Sequence, residues 1–215
     1  MPMHPVLAQI AEKGVVAILR GVDPALLLPL GQALADAGVG AVEVTLNSEG
    51  ALEGITALNK LLGNKLPVGA GTVLTADAAR EAIAAGAQFL LTPHLMEEVL
   101  SVAVELEVPA VIGAMTPSEI YRAHALGAEM VKVFPAGTLG PQYFRDLRGP
   151  LPQIPTMAVG GINVENAGDF IRAGAKAVGA GGQLVDMKAV RAGDWEAVRR
   201  RAAAMVEAVQ QARAR

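Results

Sequence analysis

The chain has no cysteine among its 215 residues, which excludes disulfides, thiolate chemistry and cysteine-ligated metals together. Aromatic side chains are scarce at 3%, so the apolar 52% is carried by Ala, Val, Leu and Ile, in short runs broken by 24 Gly and 13 Pro. No uncharged stretch reaches the ~18 apolar residues that a membrane span requires, so no membrane partner is expected. An excess of positive charge is missing too. The net charge of -3 and pI near 5.7 argue against nucleic acid as a partner. The opening Met1-Pro2-Met3-His4-Pro5 lacks the charged-then-apolar layout of a secretion signal, which makes the cytoplasm the expected location. A chain this apolar, with only 18% charged residues, is not a disordered one.

A weak internal repeat is present. Ala37-Gly38-Val39-Gly40-Ala41-Val42-Glu43-Val44 is echoed at Ala85-Gly86-Ala87, at Leu126-Gly127-Ala128 and at Ala173-Gly174-Ala175. Glycines 38, 86, 127 and 174 are 48, 41 and 47 residues apart, and each ends an Ala-rich helical stretch before a short β-type run. This is the pattern of a helix stopped by a left-handed glycine and followed by a buried strand. A period in the forties then holds two β/α units.

Eight apolar runs read as strands, at 15–20, 40–46, 67–70, 88–92, 108–112, 129–134, 155–159 and 177–180. Helix-start signals stand between them. Asp23-Pro24 and Thr116-Pro117-Ser118-Glu119 set a capping side chain before a first-turn proline, and Asn163-Val164-Glu165-Asn166 opens another helix. A last helix is expected over 195–212, and an extra N-terminal one over 6–13. Eight β/α units without a compositional break predict one domain, 1–215: a closed (β/α)₈ (TIM) barrel with an extra N-terminal helix. An open doubly wound sheet is the competing architecture.

Strands covered on both faces should be nearly all apolar, so polar exceptions are candidates for chemistry. Arg20 ends the first run, Glu43 interrupts the second and Lys132 the sixth. Side chains alternate along a strand. If Val131 and Val133 face the helices, Lys132 and Phe134 face the barrel axis; by the same parity Glu43, Thr45 and Asn47 point inward. Of the six lysines, Lys132 alone lies in a strand-like apolar run. A structural buried pair of Lys132 and Glu43 would be costly to desolvate and add little stability. Desolvation favours the neutral amine, a nucleophile for a carbonyl carbon, and a nearby carboxylate can shuttle protons. Lys132 with Glu43 is the minimum kit of an imine-forming aldolase that needs no cofactor. A metal-dependent route is disfavoured because His4, His94 and His124 fall in a tail, after a strand and within a helix, and form no ligand set. The glycine loops Gly160-Gly161 and Gly181-Gly182, after strands seven and eight, offer backbone N–H groups that suit a phosphate, with helix N-termini adding positive potential. The triplet Arg199-Arg200-Arg201 reads as a solvated helix face.

Taken in order, Val42-Glu43-Val44-Thr45-Leu46, Gly69-Ala70-Gly71-Thr72-Val73, Thr92-Pro93, Val131-Lys132-Val133-Phe134-Pro135 and Gly160-Gly161-Ile162 resemble the 2-keto-3-deoxy-6-phosphogluconate / 4-hydroxy-2-oxoglutarate aldolase family. The resemblance implies a homotrimeric barrel that cleaves a 4-hydroxy-2-keto acid to pyruvate and an aldehyde without metal. It implies that Lys132 forms the Schiff base and Glu43 moves protons. Arg20 and Thr72 would hold the pyruvoyl carboxylate, with Pro93 and Phe134 shaping the pocket. Gly160, Gly161, Gly181 and Gly182 would face the distal phosphate or its replacement. Three positions depart from the gluconate-type pattern: Asn47 stands where some members have arginine, Gly182 where a serine is usual, and Val159 where threonine is common. Asn47-Ser48 and Gly140-Pro141-Gln142-Tyr143 look closer to the 6-phosphogalactonate branch, and loss of the hydroxyl at 182 favours a short product such as glyoxylate. Two rival readings remain: a sugar-phosphate isomerase or epimerase with Glu43 as base, and a silent barrel that binds phosphorylated acids.

Overall fold

A computed structural model of the chain describes residues 3–214; Met1, Pro2 and Arg215, which the sequence reading places in the 1–215 domain, lie outside them. After helix α1 (Pro5–Lys13), eight parallel strands close into a barrel in sequence order. They are β1 (Val15–Leu19), β2 (Ala41–Thr45), β3 (Val68–Gly71), β4 (Leu90–Leu91), β5 (Ala110–Ala114), β6 (Met130–Val133), β7 (Thr156–Val159) and β8 (Ala177–Ala180). Between them run α2 (Pro24–Asp36), α3 (Ala51–Leu62), α4 (Ala76–Ala84), α5 (Glu97–Glu105), α6 (Pro117–Ala125), α7 (Ala136–Arg148) and α8 (Ala167–Arg172). The chain continues through α9 (Met187–Ala192) and α10 (Trp195–Arg213). The seam is closed by β1 against β8, with Val15 beside Val178 and Ala17 beside Ala180. An open sheet is thereby excluded.

The repeat has its expected physical basis. Gly38, Gly86, Gly127 and Gly174 sit at φ +82°, +97°, +112° and +111°, and each leads into an even-numbered strand. Only glycine reaches these dihedrals without strain, so the helix stops and the chain turns back to the barrel. The two Pro-led caps form as well. Asp23 accepts the N–H of Ala25, and Thr116 with Glu119 completes a capping box.

Two elements differ from the sequence pattern. Strand β5 begins at Ala110 rather than 108, because Pro109 has no N–H for the ladder; its carbonyl instead accepts from Leu90. Asn163 does not open a regular helix: its side-chain oxygen takes the N–H groups of Glu165 and Asn166, forming a turn, and α8 starts only at Ala167.

Strand alternation separates two apolar layers. Val42, Val44, Val131 and Val133 pack outward with the helices, whereas Val16, Ala41, Phe89, Met130 and Met157 fill the axis. Leu7 and Ile10 of α1 join this inner layer, fully buried, at the N-terminal end of the cylinder. Strand β3 presents only glycine inward. A Cβ on Gly69 would stand 2.5 Å from the Phe89 ring, so the missing side chain is what admits that ring to the axis.

Candidate active site

The inner layer ends where polar residues begin. Glu43, in the middle of β2, is 1% exposed and Lys132, in β6, is 6% exposed. Their outward neighbours are the valines that anchor each strand, so both side chains are held at the axis by the packing on the opposite face. Each has a glycine beside it in the ladder: Glu43 pairs with Gly69, and Lys132 with Gly113. No ion pair within 4.0 Å joins the two groups, and Glu43 Oε2 is buried with no hydrogen-bond partner among the described residues. Burial pushes the Glu43 carboxyl up, and the Lys132 ammonium and Arg20 guanidinium offset this only partly. Burial pushes the Lys132 amine down; Glu43 opposes that shift and Arg20 adds to it. Lys132 Nζ lies 5.4 Å from the centre of the Phe134 ring. Burial thus shifts both groups toward their neutral forms, and the two face one cavity in which a third molecule could exchange protons with them.

Arg20 lies just beyond β1, at the mouth. Its Nη1 donates to Asn47 Oδ1 at 3.0 Å and its Nη2 to Thr72 Oγ1 at 3.3 Å. Thr72 adopts φ +56°, uncommon for a β-branched residue, and such outliers concentrate at functional sites. The Arg20 loop is tied to the β2 loop as well: Gly21 N–H donates to Ser48 Oγ, which also meets Thr45 Oγ1, both at 2.9 Å. Pro93 arrives by a different route. Thr92 Oγ1 donates to the His94 carbonyl at 2.7 Å and accepts Gly113 N–H at 2.9 Å, folding the loop after β4 over the mouth. Gly113 permits this, since a Cβ there would stand 2.4 Å from the Pro93 carbonyl carbon.

All ten residues singled out from the sequence line one cavity of about 240 Å³: Arg20, Glu43, Thr72, Pro93, Lys132, Phe134, Gly160, Gly161, Gly181 and Gly182. Ile18, Ile162, Gly179, Ala180 and Gln183, which sequence reading did not single out, complete its wall with Val159. The apolar ones look like ordinary strand residues, so no sequence signal marks them. Gln183 is the exception, a polar residue directly after the glycine pair. The glycine loops differ from expectation in one respect: neither runs straight into a helix, and α8 and α9 start only at Ala167 and Met187. Backbone N–H groups supply the polarity instead. Among the described residues, those of Gly161, Gly182 and Gln183 have no acceptor. The three histidines serve locally. His4 caps α1, His124 meets the Ala128 carbonyl, and His94 is exposed in its loop, outside the cavity wall. Among the described residues no group of three or more His, Cys, Asp or Glu is placed to hold a metal. No helix is long and apolar enough to cross a membrane among them either.

Such a wall combines an amine nucleophile, a proton carrier, an arginine and free amides, which suits addition to a carbonyl compound that bears negative charge. Comparison with known proteins agrees. A family model described as "Aldolase: KDPG and KHG aldolase" matches residues 6–201. The 2-dehydro-3-deoxy-6-phosphogalactonate aldolase of Escherichia coli K12 is 37% identical over 199 residues, 92% of this chain and 95% of that protein. The 2-dehydro-3-deoxy-phosphogluconate aldolase of Pseudomonas aeruginosa is 34% identical over 189 residues, 86% of this chain and 83% of that protein. A solved KDPG aldolase from Legionella pneumophila, with pyruvate captured as a covalent carbinolamine, superposes with a TM-score of 0.87 at 27% identity, over 94% of this chain and 98% of that one. With a match that runs from α1 into α10, the chain belongs to the KDPG and KHG aldolase family.

Proposed function

We propose that the protein is a Schiff-base-forming aldolase. It cleaves 2-keto-3-deoxy-6-phosphogluconate to pyruvate and glyceraldehyde 3-phosphate, and 4-hydroxy-2-oxoglutarate to pyruvate and glyoxylate. The observation that carries this reading is the buried, unpaired Lys132 amine sharing one small cavity with the buried Glu43 carboxyl. Lys132 adds to the keto carbon, and the carbinolamine loses water to give a protonated imine. Electrons of the C3–C4 bond then flow into the imine as the C4 hydroxyl gives up its proton, leaving an enamine and releasing the aldehyde. Protonation of the enamine at C3 and hydrolysis return pyruvate and the free amine.

Glu43 is the proton carrier in these steps, directly or through water. Arg20, held by Asn47 and Thr72, pairs with the substrate carboxylate, with Pro93 and Phe134 against the keto-acid carbons. Gly160, Gly161, Gly181 and Gly182 bind the distal phosphate through backbone N–H groups. We read the enzyme as metal-independent because the imine itself is the electron sink. One barrel domain, α1 as its extra N-terminal helix, a homotrimer and a cytoplasmic location complete the proposal. A galactonate-type substrate is the second reading, favoured by the 37% identity to the Escherichia coli relative and by Asn47 beside Arg20.

Borohydride reduction in the presence of pyruvate tests the core of this reading. The expected result is one pyruvyl adduct on Lys132 and none in Lys132→Ala, which loses turnover but keeps its fold. An active protein that forms no adduct would leave Lys132 an electrostatic group and favour an isomerase using Glu43. Rates on the gluconate-type, galactonate-type and unphosphorylated keto acids then rank the substrates.

A further inference from the structure

The three arginines of the α10 triplet are all partly exposed, as a solvated face would be, but they differ in partners. Arg199 pairs with Glu196 and approaches Asp36 at 3.8 Å, and Arg200 approaches Glu196 at 3.7 Å. Arg201 points elsewhere, to the loop after β8. Its Nε donates to the Gln183 carbonyl at 2.7 Å, and its Nη1 lies 3.6 Å from Asp186 Oδ2. One side chain thus holds the connection between β8 and α9 at two points, from outside the cavity wall.

That loop is a tight turn with a specific division of its amides. The Gly181 carbonyl accepts the N–H groups of both Leu184 and Val185 at 2.8 Å. Gly182 and Gln183 keep theirs free among the described residues, and both residues line the cavity. Gln183 therefore lines the cavity with its N–H unpaired among the described residues, while its carbonyl is taken by a cation outside the wall. Fixing that carbonyl fixes the orientation of the turn. A charge-assisted hydrogen bond at the back of the loop also adds positive potential to amides that must meet an anion. The contact to Asp186 contributes little by comparison, because the arginine side chain is 39% exposed and water screens the pair.

We propose that Arg201 is a positioning residue for the distal anion of the substrate, acting through the Gln183 carbonyl to aim the Gly182 and Gln183 amides. The proposal rests on the reading that the glycine loops take the distal phosphate. It makes the end of the substrate farthest from Lys132 depend on a residue of the last helix, which never touches that substrate.

Steady-state kinetics of wild type, Arg201→Gln and Arg201→Lys test it on two substrates. One is a phosphorylated 2-keto-3-deoxy sugar acid. The other is 4-hydroxy-2-oxoglutarate, which has no phosphate and ends several atoms earlier. Arg201→Gln is expected to raise KM for the phosphorylated substrate about tenfold. Its kcat, and both constants for 4-hydroxy-2-oxoglutarate, stay within about twofold of wild type. Arg201→Lys restores part of the loss, because a cation remains but the fork does not. A general loosening of the barrel would instead shift both substrates together and lower the melting temperature. That outcome, or an unchanged KM for the phosphorylated acid in a wild-type background that prefers it, overturns the role given to Arg201. Wild-type enzyme indifferent to the phosphate overturns the reading of the glycine loops, and the proposal with it.

Discussion

Gly71 and Glu43 occupy one volume between them: a Cβ at position 71 would stand 1.6 Å from Glu43 Oε1 and 2.3 Å from its carboxyl carbon. The acid has room at the barrel axis because Gly71, two residues beyond its ladder partner Gly69 on β3, has no side chain. Gly71→Ala is therefore expected to swing the carboxyl out of place while the strand persists. We expect kcat to fall about a hundredfold, the usual worth of a positioned proton carrier, with the pyruvate adduct on Lys132 still forming. Glu43→Gln should give the same split between turnover and adduct formation. Single-turnover kinetics alongside borohydride trapping checks both, and full activity in Gly71→Ala would remove Glu43 from the chemistry.

The pH dependence of adduct formation follows from the shifts at Lys132. Burial lowers its pKa, so trapping with pyruvate should rise through a midpoint below the ordinary lysine range. Arg20 contributes to the lowering, so Arg20→Met moves the midpoint up; Glu43 opposes it, so Glu43→Gln moves it down. A stability signature accompanies this. Between the lowered value and the ordinary one the folded protein binds fewer protons at Lys132 than the unfolded chain does, so this residue's contribution to stability rises with pH across that window. Denaturant titrations of wild type and Lys132→Met across alkaline pH measure it, and identical pH slopes would contradict a lowered amine.

Position 182 is open. A Cβ there meets nothing within 4 Å, and the backbone is not left-handed, so Gly182→Ser fits without displacement. The added hydroxyl joins the free amides of the same loop. KM for a phosphorylated substrate is expected to drop about tenfold, the lower end of the effect of one hydrogen bond to a charged group, with little change for 4-hydroxy-2-oxoglutarate. Equal effects on both substrates would place the phosphate elsewhere.

Phe89 and Gly69 form a matched pair in the barrel interior, the ring lying where a Cβ would be. Phe89→Ala is expected to cost about 4 kcal/mol through the cavity it leaves. Gly69→Ala alone also destabilises, by forcing the ring aside. Together the two changes should cost less than their sum, since the new methyl enters vacated space. Urea denaturation of the four-member cycle measures the coupling, and strict additivity would mean the barrel relaxes around either change independently.

Lys132 and Glu43 were legible from the sequence because valines flank each of them, and strand parity then sends the odd residue inward. The barrel was legible for a related reason: left-handed glycines recur before every second strand, and backbone sterics act locally. Gly71 and Gly113 carried no such mark. What a missing Cβ makes room for is decided by residues 28 and 20 positions away, Glu43 and Pro93. The grip of Asn47 and Thr72 on Arg20 was likewise out of reach, since three loops must converge before it exists. The partner of Arg201 was out of reach as well, although the exposure of Arg201 fits the solvated face read from the sequence. Its neighbours in sequence are salt-bridged surface residues, and only the course of the loop after β8 separates it from them.

Because the inward and outward residues of each strand belong to separate apolar layers, folding instructions and reaction instructions are written on alternate letters of the same short words. The outward set can hold the cylinder together while the inward set is rewritten around the same amine. New specificity in this scaffold is therefore cheapest to obtain by editing single inward letters near the open end, leaving the alternate ones as they are.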